Sequence, residues 1–215
     1  MPRRPAKDAR GAEPSTMLRA QHAEATRRAV LAAARSSFGR KGYGQTSVDE
    51  IADAARVTKG AVYHHFASKE ALFRAVLAEV EAEAEARAAE AADPAAAPID
   101  QIVARVDAYL DAALDAEIRR IVLIDGPAVL GQELEASADQ QPGHVDLRSF
   151  IATSIARGEL IDLDPGLLTH LIRGMVGLSG LLIAHAADPD ETRAALGLAL
   201  RAMLPGLAAA AGQRR

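Results

Sequence analysis

Between Thr46 and Lys69 the residues TSVDEIADAARVTKGAVYHHFASK combine small side chains, cations and hydrogen-bonding rings at a spacing suited to reading a polyanion. Lys59, Gly60 and Ala61 form a leading edge. The lysine can reach the acceptors on a guanine edge, the glycine lets backbone come close, and the alanine offers a methyl to a thymine methyl. Tyr63 and His64 add a phenol and an imidazole that can donate to phosphate oxygens, which sets register without reading sequence. Lys69, just behind Ser68, supplies a cation where a helix N-terminus already favours an anion. This is the chemistry of hydrogen bonding and charge neutralisation, not of bond making.

Such residues need short, well-capped helices to hold them. Ser47 and Glu50 stand three apart at the head of an apolar run, so each can satisfy the other's backbone N–H as a capping box, and a helix is expected to start there. Its inward face is Val48, Ile51, Ala52 and Ala55, with Asp49, Asp53 and Ala54 turned outward. A turn follows at Ala55-Arg56-Val57. Thr58 then caps a second helix, which Val62 and Phe66, four apart, hold onto the core. Two short helices across a tight turn, followed by a third start at Ser68, are the layout of a helix-turn-helix DNA reader.

The wider segment resembles the DNA-binding domain of the TetR family of bacterial transcriptional regulators. The matching residues are Val30, Ala33, Ala34 and Phe38, then Gly42-Tyr43, Thr46, Ile51-Ala52, Val57-Thr58-Lys59-Gly60, Tyr63, His65-Phe66, Lys69 and Leu72-Phe73. The resemblance implies that Thr46, Ser47, Tyr63, His64 and Lys69 lie at phosphates, while Thr58, Lys59, Gly60 and Ala61 face the bases. Arg56 departs from it, because the family usually has glycine in the turn. If that position needs positive φ, a non-glycine residue there carries strain of about 1 kcal/mol. Arg35 and Ser37 make the first helix less apolar than is usual.

Composition is consistent with this assignment. The 215 residues are 49% hydrophobic, enough for a buried core, but only 3% aromatic, so the core must be aliphatic. The absence of cysteine removes disulfide and thiolate chemistry and suits a cytoplasmic location. Residues 1–75 carry 14 Lys and Arg against 7 Asp and Glu, while residues 76–215 carry 11 against 22. One end can dock on phosphate and the other is kept off it. No apolar stretch follows the basic N-terminus, so no signal peptide is expected. Leu167 to Ala187 is the nearest approach to a membrane span; with His170, Arg173 and His185 inside it, it reads as a buried helix of a soluble bundle.

No strand-like alternation occurs, so the expected fold is all-α: a three-helix helix-turn-helix domain followed by a helical bundle. Residues 1–17 read as a disordered basic arm. Residues 18–80 form the DNA-binding domain, with a first helix from near Leu18 to Gly39. Residues 81–98 are a helix extension and linker, in which EAEAEARAAEAA reads as a solvated connector and Asp93-Pro94 to Pro98 as a break. Residues 99–215 make the last domain. Its helices are expected at about 99–114, 116–124, 127–134, 145–157, 165–187 and 189–210, with a loop from Ser137 to Gly143. Asp164-Pro165 and Asp188-Pro189 each place a capping carboxylate before a proline at the first helical position.

The resemblance gives this last domain two tasks, effector binding and dimerisation. Gly174, Gly177, Gly180 and Ala184 clear a strip for close helix approach, and the final helix offers Ala194, Ala195, Leu198, Ala199, Ala202 and Met203. A palindromic double-stranded DNA operator needs two readers, so a homodimer is expected. Tyr109, Arg119, Asp125, His144, Arg148, His170 and Arg173 interrupt apolar faces and are candidates to orient a small-molecule effector. Arg173 is preferred, since a charge within LIRGMVG needs a partner or a wet cavity. The scarcity of aromatics favours an aliphatic effector.

Metal and catalytic readings have little to rest on. His64 and His65 are adjacent, so their rings should diverge, and the other histidines lack ligand-spaced partners. No nucleophile elbow, phosphate loop or zinc-protease pattern occurs, and no cofactor is called for. The expected function is a non-enzymatic, sequence-specific DNA-binding transcriptional regulator, a repressor released by its effector. The alternatives are an architectural or replication-associated DNA-binding dimer without effector response and, more distantly, an all-helical hydrolase.

Overall fold

The computed structural model of the chain describes residues 13–137 and 142–209. Most of the expected basic arm and the centre of the expected loop at 137–143 lie outside the described residues. Everything described is helix, turn or loop apart from one isolated antiparallel bridge between Leu160 and Ala208.

The head is built as its caps dictate. Helix α1 (Glu13–Lys41) starts earlier than its apolar spacing suggests. Residues 18–25 are all exposed, so its first turns rest on Ala, Leu, Arg, Gln and Glu, strong helix formers, rather than on packing. Its buried face is Val30, Leu31, Ala34 and Phe38. Helix α2 (Val48–Ala55) opens on the expected capping box: the Glu50 N–H donates to Ser47 Oγ at 3.1 Å and the Ser47 N–H to Glu50 Oε2 at 3.3 Å. Arg56 ends it in the left-handed region at φ 57°, ψ 41°, and the Val57 N–H reaches back to the Ala52 carbonyl. Helix α3 (Lys59–His65) is capped by Thr58, whose Oγ1 accepts from the Ala61 N–H at 3.1 Å. Helix α4 (Lys69–Glu90) is capped by Ser68. Phe38, Tyr43 and Phe73 meet with ring centroids 5.0 to 5.8 Å apart and close the core around which these helices turn.

The remaining elements are α5 (Pro98–Ala112), a short α6 (Ala116–Ile118), a π-helical stretch (Arg119–Asp125), α7 (Gly126–Ser137), α8 (Pro142–Ala156), α9 (Pro165–His185) and α10 (Pro189–Met203). The two helices expected at 116–124 and 127–134 are instead one rod with a widened middle. Pro127 has no N–H to give and crowds the carbonyl four residues back, so a narrow α register is unfavourable there. Helix α10 stops at Met203, short of 210, and passes into a 3₁₀ turn (Leu204–Leu207) that contains Pro205. Asp164 and Asp188 cap α9 and α10, accepting from Leu167 and Glu191 N–H at 2.8 and 2.9 Å.

Two apolar clusters result. One joins α1 to α4 and also takes in Ile118, Ile121 and Leu130 from the rod. The other gathers Ile102, Val106, Leu110, Leu123, Ile151, Leu168, Ile172, Ile183 and Leu200. Val122 packs against both, so the two clusters meet inside the rod.

Two expectations need correction. The second half of α4 is not a solvated connector: Ala84 is buried, and Glu81, Ala84, Glu85 and Ala88 wall a cavity. Nor is α9 a buried helix. It is long and apolar enough to cross a membrane by composition, but only 33% of its most apolar window is buried, because Leu167, Leu171, Leu178, Leu181 and Leu182 stand outward.

Candidate nucleic-acid interface and effector cavity

The leading edge of α3 is open. Thr58, Lys59 and Gly60 are exposed, Ala61 is half-buried, and a methyl on Gly60 would meet nothing nearer than Thr58 Oγ1 at 3.8 Å. Behind that edge Val62 and Phe66 are 1% and 6% exposed, which fixes the helix by its opposite face. Tyr63 and His64 are exposed on the flank, and Ser47 sits exposed at the start of α2. His64 and His65 do not diverge: their rings meet edge-on with centroids 5.3 Å apart.

Thr46 requires a correction. Its side chain is 2% exposed and its hydroxyl donates to the Gly42 carbonyl at 2.8 Å, so it braces the turn instead of offering itself to a phosphate. Lys69 is half-buried, its Nζ 4.1 Å from the centre of the Tyr43 ring, and burial holds its pKa below the ordinary lysine value. Lys59 donates to Asp49 Oδ2 at 2.8 Å, and that carboxylate raises its pKa. The sequence reading had placed Asp49 on the outside but missed this partner.

Salt links and one backbone bond tie the head to the rod. Arg35 pairs with Glu83 and with Glu117, each at 2.7 Å, which keeps its guanidinium strongly protonated and pulls the Glu83 carboxyl below its usual range. The Tyr43 N–H donates to Asp125 Oδ2 at 2.6 Å. Asp125, considered only as an effector contact from sequence, instead caps the Gly42–Tyr43 turn, where Gly42 has φ 80°.

A cavity of about 420 Å³ lies between α4, α5, the rod, α8 and α9. Of the candidate effector residues it brings together Tyr109 and Arg173. Arg119, Arg148 and His170 are not among its lining. The reasons are local: His170 is exposed with Nδ1 2.8 Å from the Gly166 carbonyl of its own helix, and Arg148 is exposed beside Gly166. The side chain of His144 lies outside the described residues.

The sequence reading missed Glu81, Glu85, Arg105 and Asp146, which also line the cavity. Glu81, Ala84, Glu85 and Ala88 recur at three- and four-residue steps, and that stripe was the available signal. Burial first, then the neighbouring Glu85, pushes the Glu81 carboxyl up to about 7, against the lowering effect of Arg173. Arg173 Nη1 stands 3.4 Å from Glu85 Oε1. Burial raises the Tyr109 phenol as well.

On the far face, Gly174 is exposed with open space where a side chain would be, and Ala195, Leu198, Ala199 and Ala202 are exposed on α10; Gly177 is also exposed and open but borders the cavity. Gly180 does not belong with them. A methyl there would lie 3.0 Å from Leu123 and 3.4 Å from Tyr109, so this glycine lets α9 close on its own rod and α5. Ala184 likewise packs on the body cluster.

Similarity to known proteins follows the same division. The family profile described as "Bacterial regulatory proteins, tetR family" matches residues 30–76, and that of the "Tetracyclin repressor-like, C-terminal domain" matches residues 99–207. The A-factor receptor protein of Streptomyces griseus is 44% identical over 63 residues, 29% of this chain and 23% of that protein. An HTH-type transcriptional repressor of Mycobacterium tuberculosis is 40% identical over 58 residues, 27% of this chain and 31% of that protein. The chain thus spans about a quarter to a third of the length of the curated relatives it matches. The crystal structure of a TetR-family transcriptional regulator from Pectobacterium atrosepticum is similar throughout, at 34% identity and a TM-score of 0.75, covering 87% of this chain and 96% of that one.

Proposed function

Because the chain belongs to the TetR family of transcriptional regulators, we propose that it is a homodimeric, cytoplasmic repressor that leaves its operator when a small molecule enters the α4–α9 cavity. The observation that carries the reading is the orientation of α3: Lys59 and Gly60 point outward at its capped end, while Val62 and Phe66 anchor its other face. In a major groove that edge meets base acceptors, with Tyr63, His64, Ser47 and Lys69 at flanking phosphates.

Dimerisation is supported by the exposed stripe of α9 and α10. Leu167, Leu171, Leu178, Leu181 and Leu182 extend the glycine strip, and Leu198 and Met203 face outward on α10. A contiguous apolar face of this kind marks an interaction surface, and a second copy placed on it by a two-fold axis makes a four-helix contact. The two recognition helices would then enter successive major grooves about 34–36 Å apart. Release follows if the effector prefers a conformer with the heads misplaced, each tenfold loss of operator affinity needing about 1.4 kcal/mol of preference.

Selection of preferred duplexes from a random pool tests this. The expected product is a palindrome with half-sites one helical turn apart. Recovery of no common sequence would refute the regulator reading, and recovery of a single unrepeated half-site would refute the dimer.

A further inference from the structure

Resting on the effector reading above, we propose that the cavity takes a monocationic aliphatic amine, its ammonium seated between Glu81 and Glu85 and facing the Tyr109 hydroxyl. Among the described residues the lining holds three carboxyl groups, Glu81, Glu85 and Asp146, and two guanidiniums, Arg105 and Arg173. Arg173 is engaged with Glu85 at 3.4 Å. Glu81, four residues earlier and on the same face of α4, accepts no hydrogen bond from any side chain among the described residues. Burying an ionised carboxyl without a partner is costly, and burial together with Glu85 accordingly moves the Glu81 pKa up to about 7.

Tyr109 is a further polar group of the same wall. Its ring is deep in the wall, its phenol feels both glutamates and Arg173, and no hydrogen bond is formed by its hydroxyl among the described residues. An ammonium has three donors, enough for Glu81, Glu85 and the phenol oxygen together. The rest of the wall is Ile102, Val106, Val122, Ile172 and Val176, which suits a saturated body, and about 420 Å³ lies within the range of small-molecule sites, roughly 300–1,000 Å³. One turn before Tyr109 on α5, Arg105 lies over the Phe150 ring at 5.3 Å, with its Nε–H buried and without a hydrogen-bond partner among the described residues. A carboxylate ligand would instead add a further anion beside Glu81 and Glu85.

The same geometry fixes a pH dependence. Glu81 is faced by Glu85 on its own helix, Tyr109 and Arg105 on α5, Asp146 on α8 and Arg173 on α9. A bound ammonium favours ionised Glu81, so amine affinity should rise as pH passes upward through about 7 and binding should release a proton near neutrality.

The full chain would be titrated with adamantan-1-amine and octylamine, and with the alcohol and carboxylate of each skeleton. Thermal denaturation without DNA gives one reading, and anisotropy on the selected operator gives a second. Amines are expected to raise Tm, and to weaken operator binding by about tenfold or more, where the alcohols and carboxylates do not. Glu81→Gln, which keeps shape and removes charge, should lose the amine shift in Tm, and Tyr109→Phe should reduce it. The proposal is overturned if carboxylates or alcohols match the amines, if none of the compounds moves Tm, or if Glu81→Gln responds like the parent. A rise in Tm with amines but no change on DNA supports the amine site and refutes the effector reading. Failure to select any operator refutes the regulator, while the Tm reading still decides the ligand.

Discussion

Lys59 is already engaged before DNA arrives, by Asp49 at 2.8 Å on the neighbouring helix. A guanine edge must displace that carboxylate, so Lys59→Ala should relax preference at one base position of each half-site by about tenfold. Lys69→Ala should instead weaken all duplexes alike and flatten the salt dependence, and competition binding at several salt concentrations separates the two effects. Arg56 is the one non-glycine residue at positive φ among the described residues. Replacing it with glycine should raise stability by about 1 kcal/mol in chemical denaturation, offset in part by glycine's greater freedom when unfolded. Glu81 adds a pH signature. Because its folded pKa is raised to about 7 from 4.5, the native state holds a proton that the unfolded chain gives up between those values. Stability from this group therefore falls as pH rises through that window, and Glu81→Gln should flatten Tm against pH. Lys59 and the strain at Arg56 were legible in sequence because caps and turns are local. The Asp49 partner was not, since it depends on how α2 meets α3 in space, and the Thr46 hydroxyl, though bonded to Gly42 only four residues back, carries no sequence signal of its burial.

At the scale of elements, the rod from Ala116 to Ser137 serves the head, the cavity and the body at once. Ile118 and Ile121 complete the head core, Ile118 and Val122 line the cavity, Leu123 fits against Gly180 of α9, and Asp125 holds the Tyr43 N–H. Its π register sits between the cavity and the head, where a change of register would turn Asp125 away from its donor. Asp125→Ala should leave that N–H without its acceptor, lowering Tm and loosening the Gly42–Tyr43 turn, which hydrogen exchange at Tyr43 would report. Cap signals placed α2, α3, α4, α9 and α10 correctly from sequence, because each rests on a side chain within three residues. The π stretch gave no such signal, and the Glu-Ala run of α4 looked solvated because alanine conceals a packed face as readily as an exposed one.

For the whole molecule, the pattern of exposure is the useful quantity. Leu178 and Leu198 are 59% and 69% exposed, far more than large aliphatic side chains need be in a lone subunit. Leu178→Glu should give a monomer in sedimentation, with operator affinity falling towards that of a single half-site, while the helical content is kept. Sequence reading named α9 and α10, the two helices that carry this exposed face, through their small residues but put Gly180 and Ala184 with them, and both pack inward. Periodicity alone does not say which stripe of a uniformly apolar helix turns inward.

The head borrows Ile118, Ile121 and Leu130 from beyond the cavity wall to finish its interior. Recombination between paralogues that exchanged only the first ninety-odd residues would marry a reader to an ill-fitting foundation, so a new operator specificity should be inherited together with the rod or acquired by point changes on α3.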